Sequence, residues 1–554
     1  MNSFFYKNHR LVFYTAWLLL GLVQSGLTEL QDDEAYYWVY SKYLDVGYFD
    51  HPPMIAVLIK IGYAIFPNEL GVRLFPLLLN VFSLFIIEKL LVNKNPFLFY
   101  TIAISIAALQ LAGFTAVPDI PLIFFTALFF LCYKKFLENQ SAKNILFLGI
   151  STALLFYTKY HAILIVFFVL LSNIKLLAKP HIYLAGLIAL VLFSPHLYWQ
   201  WEHNWVSFRY HLFESNVNDY KFSFSTNYLL SQILIAGPIA GFILLPAAFL
   251  YKPASQTEKA LKWTMIGIYI FFLLSSFRGK VELNWTSPAL VPLIILSHQY
   301  LNEKLVLRKW LFRLLPVTLV LVVFIRIIMI EDILPLSAVK KRYHTWKEWP
   351  QQMKEITKGL PVVFSNSYQR ASKYWFYSGQ MTYSQNHVRD HRNNYNFWPV
   401  EDSLFNRPVY FFDIYGLNRF HDSLKTPMGY IGYRYDSAFI SFAKINFEIE
   451  KKSYTVKKDQ IFSLKGWARI PEAYSMYIFK HRSLQLDIKL FVFNKRKIIK
   501  EIPFPITLQE INSNGFTADI NPQLPPGKYY FRLSIEVPGY NPTHNSEKIE
   551  LIVE

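Results

Sequence analysis

Residues 31–54 read QDDEAYYWVYSKYLDVGYFDHPPM and follow an apolar run from Leu11 to Leu27. Asp32, Asp33 and Glu34 place three carboxylates just beyond a segment apolar enough to enter a bilayer. Three adjacent acids repel one another unless they share a proton or a cation, or unless they open a helix, where the macrodipole and free N–H groups favour them. Tyr36, Tyr37 and Trp38 suit a membrane–water interface in either case. Further on, Asp50-His51 stands beside Pro52-Pro53, whose rings fix the local backbone. The following PMIAVLIKIGYAIF (53–66) is apolar but too short to span, so it reads as an interfacial or re-entrant helix.

Outward from this loop the chain is dominated by apolar runs: 71–92, 97–114, 119–133, 144–158, 162–175, 181–199, 229–250, 260–277, 285–301 and 311–330, eleven with the first. Lys7/Arg10, Lys89/Lys94, Lys134/Lys135/Lys143, Lys175/Lys179, Lys252/Lys259/Lys262 and Lys304/Arg308/Lys309/Arg313 then fall on one side of the bilayer. The positive-inside rule makes that side cytoplasmic and puts loop 28–70 and the C-terminal region outside. Gln24-Ser25-Gly26 is a poor cleavage site, so the first run reads as a retained helix.

The composition agrees. Of 554 residues 53% are hydrophobic and only 17% charged; mean hydropathy is +0.22. Disorder, collagen-like repeats and a disulfide scaffold are excluded; the single Cys132 lies inside an apolar run. The net charge of +18 belongs with cytoplasmic loops and anionic headgroups, and with no nucleic-acid motif present, no nucleic-acid partner is expected. After Asp332 the pattern changes. Residues 362–379 read as strand, turn and helix, and 409–416 as a strand; from about 440, alternating short strands read as a β-sandwich. The expected organisation is a membrane domain over 1–332, a small α/β region over 333–437 and a β-sandwich over 438–554.

Further polar residues cluster at the outer ends of the runs. Asp119 follows Pro118 at a helix start, which also suits a first-turn carboxylate. Lys159-Tyr160-His161 interrupts two apolar runs, and such a Lys and His need a partner, a water cavity or a function. Lys159 suits a phosphate. Glu202, His203, Arg209 and His211 could hold a metal or an anion, although interfacial His is commonly unligated. Arg278, Lys280 and Glu282 also fit an ordinary loop ion pair. Walker, GxGxxG, HExxH and GxSxG motifs are absent.

The first loop, DEAYYWVYSKYLDVGYFDHPPM (33–54), closely resembles bacterial members of the dolichyl-phosphate-mannose–protein mannosyltransferase superfamily, polytopic glycosyltransferases of the GT-C fold. The resemblance continues in order through ELGVRLFPLLLN (69–80), PDIPLIFFTAL (118–128), TKYHAIL (158–164), SPHLYWQWEHNWVSFRYH (194–211) and VELNWTSPA (281–289). It implies a polyprenyl-phosphate-linked sugar donor and transfer on the outer face of a bacterial inner membrane, to a lipid, polysaccharide or protein acceptor. It places the catalytic carboxylate at Asp33-Glu34, with a second acidic position at Asp50. His51 stands where the more distant lipid A aminoarabinose transferases have a Lys near the lipid phosphate. Lys159 matches a basic residue on the donor phosphate, joined here by His51 and Arg209. Tyr37, Asp119, His161 and Glu282 are the expected substrate-binding group, and Asp50 with His203 the expected ligands of a divalent cation, the one cofactor anticipated. The chemistry assigns Asp33 as general base, with Glu34 orienting the site.

Two other classes compete. A transporter or flippase of lipid-linked sugars would place ionisable groups at the midplane and show paired halves; here the polar clusters sit at one face. A non-enzymatic envelope assembly component would depend on the C-terminal domain and tolerate changes at Asp33.

Overall fold

The apolar runs wind into helices, the segment-internal way to satisfy backbone N–H and C=O groups in lipid. The computed structural model describes residues 7–215, 218–334, 336–413, 420, 422–426, 429–481, 486–511 and 515–554. It divides into two units, Met1–His344 and Thr345–Glu554.

In the first unit, His9–Leu27, Glu69–Leu90, Asp119–Glu138, Pro180–Glu202 and Leu305–Ile330 are long and apolar enough to cross a membrane. Pro96–Ser105, Ala142–Phe156, Ala162–Ser172, Gln256–Ser275 and Leu290–Glu303 are further helices. Each of the eleven expected spans contains helix, with 97–114 broken at Ile106 between Pro96–Ser105 and Ala108–Ala112, but among the described residues five have the length and composition to cross, or six with one bent pair. That pair corrects the expectation for 229–250. Phe222–Ala236 and Gly241–Leu250 meet at 97°. The break falls at Gly237-Pro238, where Gly237 has φ +116° and Pro238 lacks an N–H. A Cβ on Gly237 would also overlap the Ser105 carbonyl oxygen.

Within 53–66, Met54–Ile65 is a helix of 12 residues, about 18 Å long and too short for the ~30 Å hydrocarbon core. Ile55, Ala56, Ile59 and Gly62 are buried, while Val57, Ile61 and Ile65 are exposed. It packs against Glu69–Leu90 at Gly62 and Gly71, where Cβ atoms would overlap backbone oxygens.

The first unit ends later than expected. Ser337–Tyr343 returns to the first loop, where the Arg342 guanidinium donates to the Gln31 side-chain oxygen at 2.6 Å. The boundary therefore lies at His344/Thr345 and not after Asp332.

In the second unit, Val362–Ser365, Tyr368–Ser378 and Thr382–Gln385 form a strand, helix and parallel strand, as read from the sequence. Val409–Asp413 pairs parallel on the other side, and antiparallel Gly429–Asp436 and Asp422–Thr426 complete the sheet. Beyond it, a five-stranded sheet (Lys497–Pro503, Asp487–Asn494, Gly527–Glu536, Ile549–Val553, Ser453–Val456) accompanies a three-stranded one (Phe516–Ile520, Phe462–Arg469, Asn446–Ile449). Inward-facing residues such as Leu464, Leu490, Phe531, Leu533 and Leu551 form one buried cluster, so alternation became a sandwich. The α/β and sandwich parts belong to one unit.

Candidate active site

The acidic first turn opens the helix Asp32–Lys42. The Gln31 N–H donates to Glu34 Oε2 at 2.9 Å, half of a capping box. Glu34 is also gripped by Arg73 from the Glu69–Leu90 helix: Nε donates to Oε1 at 2.7 Å and Nη2 to Oε2 at 2.6 Å. The Ala116 N–H adds a bond to Oε1 at 2.8 Å. Arg73 spends its remaining donors on the carbonyls of Ser25, Thr28 and Glu29 at 2.6–2.9 Å. Both side chains are fully buried. Burial opposes ionisation of Glu34, but the Arg73 guanidinium outweighs it and holds the carboxyl below its ordinary value. Glu34 is therefore an anchor. Its neighbour Asp33, on the same turn, is exposed.

Three residues beyond Ala116, Asp119 is buried and accepts from three donors: Lys159 Nζ at 2.9 Å, Asn284 Nδ2 at 2.7 Å and Ser287 Oγ at 2.7 Å. It is thus no mere first-turn acid; it joins the 158–164 and 281–289 segments. Lys159 is buried too, and a lysine ammonium has three donors, of which Asp119 takes one. His161, next to this pair, packs its ring 5.1 Å from Phe272 and 5.6 Å from Trp285.

Asp50 accepts from Tyr36 at 2.9 Å and Tyr40 at 3.1 Å, two hydroxyls one helical turn apart. His51 packs against Tyr37, with ring centroids 5.6 Å apart, and its buried Nδ1 has no hydrogen-bond partner. Burial, then the charges of Lys159, His211 and His161, push its pKa well below the ordinary histidine value.

Residues 196–211, from the end of the helix Pro180–Glu202 onward, close on this first loop. His196 Nδ1 lies 2.9 Å from the Val46 carbonyl, Trp199 Nε1 donates to Asp45 at 2.8 Å, and Ser207 Oγ donates to the Tyr48 carbonyl at 3.1 Å. His211 Nε2 lies 3.0 Å from the Asp50 carbonyl, and its ring is 5.2 Å from Tyr160. Gln200 Nε2 bonds both Tyr160 and Ser207 at 2.8 Å.

Several expected residues therefore converge: Asp50, His51, Tyr37, Lys159, His161 and Asp119. Arg209 ends the short helix Val206–Arg209 beside this clasp. Glu282 does not join them. It pairs with Lys280 at 3.0 Å in the exposed loop, leaving Asn284 and Ser287 to reach Asp119. Of the two expected cation ligands, Asp50 accepts both tyrosine hydroxyls on Oδ2, and His203 stacks on Trp199 at 4.0 Å with Nδ1 against the Trp199 carbonyl. Among the described residues no three His, Cys, Asp or Glu side chains form a metal-binding group. Sequence reading missed Arg73, Gln200 and Asn284; the signal was a lone Arg, Gln or Asn inside an otherwise apolar or aromatic run.

The first unit is helical, with five helices long and apolar enough to cross a membrane, and the second is rich in β-strands. Residues 50–199 match the family model described as dolichyl-phosphate-mannose-protein mannosyltransferase. The lipid A galacturonosyltransferase RgtD of Rhizobium johnstonii is 25% identical over 304 residues, covering 51% of this chain and 63% of that protein. The crystal structure of apo ArnT from Cupriavidus metallidurans superposes with a TM-score of 0.59 at 12% identity, over 77% of this chain and 98% of that one. ArnT bound to undecaprenyl phosphate gives a TM-score of 0.56 at 12% identity, with the same coverage. The resemblance read from the first loop is borne out, and the fold is ArnT-like.

Proposed function

We propose that this chain is an integral-membrane glycosyltransferase. It takes a sugar from a polyprenyl-phosphate donor and transfers it to a lipid, polysaccharide or protein acceptor on the periplasmic face, with the N-terminus cytoplasmic. The relatives supply the reaction class and the donor type: RgtD by its name, and ArnT by its bound undecaprenyl phosphate.

One observation carries the assignment of roles. The short run from Ala116 to Asp119 links the acidic first turn, through Glu34, to the basic group around Lys159. An acid and a base held on one rigid connection are what displacement at a sugar phosphate needs. The acceptor hydroxyl or amine attacks the anomeric carbon, and its proton passes to Asp33, the exposed carboxylate of the turn that Glu34 fixes. The bond from that carbon to the phosphate oxygen breaks, and the electron pair leaves with polyprenyl phosphate. Lys159 faces the departing charge with its two remaining donors, and His51 with its unpartnered nitrogen. Arg209, Tyr37 and His161 complete the contacts with phosphate and sugar.

The test compares lipid-linked sugars by mass spectrometry in membranes holding equal amounts of native protein or Asp33→Asn. Accumulation of one polyprenyl-phosphate sugar with the variant alone is the expected result. Identical lipid pools together with an unchanged labelled surface product would exclude Asp33 as the base.

A further inference from the structure

The second unit holds a cavity of about 380 Å³, within the range of small-molecule sites, about 300–1,000 Å³. It opens at the carboxyl ends of the parallel strands Val362–Ser365 and Thr382–Gln385, because Asn366 and Asn386, the residues directly after them, line it. Loops at this end of parallel strands are where α/β sheets bind ligands. Asn366 holds a left-handed φ of +49°. It is fastened there by its own amide: Oδ1 accepts from the His387 N–H at 2.9 Å and Nδ2 donates to Asp390 at 2.6 Å. A non-glycine residue in that region is the kind of local strain that collects at binding clamps.

The lining is amide-rich. Asn386 is buried, donating to Asn396 at 2.7 Å and accepting from Ser384 at 2.9 Å. Asn393 is buried and accepts from the Tyr395 N–H at 3.0 Å. A carboxamide offers two N–H donors and two lone pairs, so these bonds leave Asn366 and Asn386 able both to give and to accept, and leave Asn393, whose oxygen also accepts from the Asn396 N–H, able to give. Tyr368 brings an aromatic face to the wall, its ring 6.2 Å from His391. The charges at the rim cancel, Arg389 standing 3.6 Å from Asp390.

We infer that this cavity binds an uncharged saccharide, its hydroxyls shared among Asn366, Asn386 and Asn393 and its C–H face laid on Tyr368. Paired donor and acceptor capacity suits a polyol, in which each hydroxyl gives and takes. A ring suits the apolar face of a pyranose, and a cancelled rim charge disfavours an anion. The inference goes beyond the transferase reading: it gives the second unit a glycan site of its own.

Binding is measured on the full chain in lipid nanodiscs. The probe is the pool of oligosaccharides, one to four sugars long, released from the host envelope by mild acid and separated by anion exchange into neutral and anionic fractions. Retained sugar is identified by mass spectrometry after ultrafiltration. The native protein should retain a defined neutral species. Asn366→Gly, which keeps the left-handed backbone but loses the amide, and Tyr368→Leu should each lower retention at least tenfold. Hydrogen exchange over 380–396 should show the fold intact in both. Asp33→Asn should retain sugar as the native chain does, whatever becomes of transfer. No neutral sugar on the native protein, equal retention by both variants, or retention of anionic sugars alone would overturn the inference.

Discussion

Arg73→Met removes the guanidinium that closes the acidic first turn. Removing one partner of a buried ion pair costs about 3–5 kcal/mol. The upper part of that range applies, because Arg73 also serves the carbonyls of Ser25, Thr28 and Glu29, each worth about 1–3 kcal/mol if left buried without a partner. The usual rescue, replacing the carboxylate as well, should fail. Arg73→Met with Glu34→Leu still strands those carbonyls and also frees the N–H groups of Gln31 and Ala116. Hydrogen exchange of 28–42 in nanodiscs reads the opening of this loop directly. A loss of about 3 kcal/mol speeds exchange roughly 150-fold, at tenfold per 1.4 kcal/mol. Both variants should show at least that, with the double variant no better protected than the single one. Exchange within a factor of about two of native in Arg73→Met, under 0.5 kcal/mol, would refute the idea that this pair holds the loop.

Three further outcomes follow from the same geometry. Lys159→Met leaves Asp119 buried and charged against Asn284 and Ser287 alone, and should lower stability by about 3–5 kcal/mol; adding Asp119→Asn should restore most of the melting temperature while the donor KM stays at least tenfold high, and recovery of both would remove Lys159 from the phosphate. His51 titrates below the ordinary value of 6.5 in the folded chain, so the unfolded chain takes up its proton first and this contribution to stability, present above 6.5, is lost as pH falls. A donor phosphate favours the protonated ring, so donor KM should fall as pH falls below 6.5 in the native protein and flatten in His51→Gln; an unchanged slope in the variant would point to His161 or His211. Gly71→Ala drives a Cβ into the carbonyl oxygens of Phe66 and Gly62, which no rotamer relieves, so the monodisperse folded yield on size exclusion should collapse; a normal yield would mean that the two helices separate freely.

Much of the architecture was legible because bilayers and sandwiches impose strong periodicities. The helical runs, the short surface helix and the alternating strands follow from where apolar residues recur. What stayed hidden depends on contacts distant in sequence. Asp33 and Glu34 are adjacent acids, and nothing local says which one turns inward; Arg73, 39 residues on, decides it. Asp119 carried every mark of a helix-opening acid, yet its partners come from Lys159, Asn284 and Ser287. The bend at Gly237-Pro238 was written in the sequence but masked by the hydrophobicity around it.

The order in which the two partners of the buried pair are synthesised also matters. A guanidinium in a helix inserting alone carries a penalty of about 2.5–3.5 kcal/mol at the bilayer centre, less towards its edge. Here the acid is made 39 residues before the base. As the 69–90 segment leaves the ribosome, the carboxylate and the carbonyls that will receive its arginine have already been translated. The second hydrophobic crossing can therefore be captured by its own forerunner, and a chain whose early acid is missing would release an unmatched cation into the membrane at the moment of insertion.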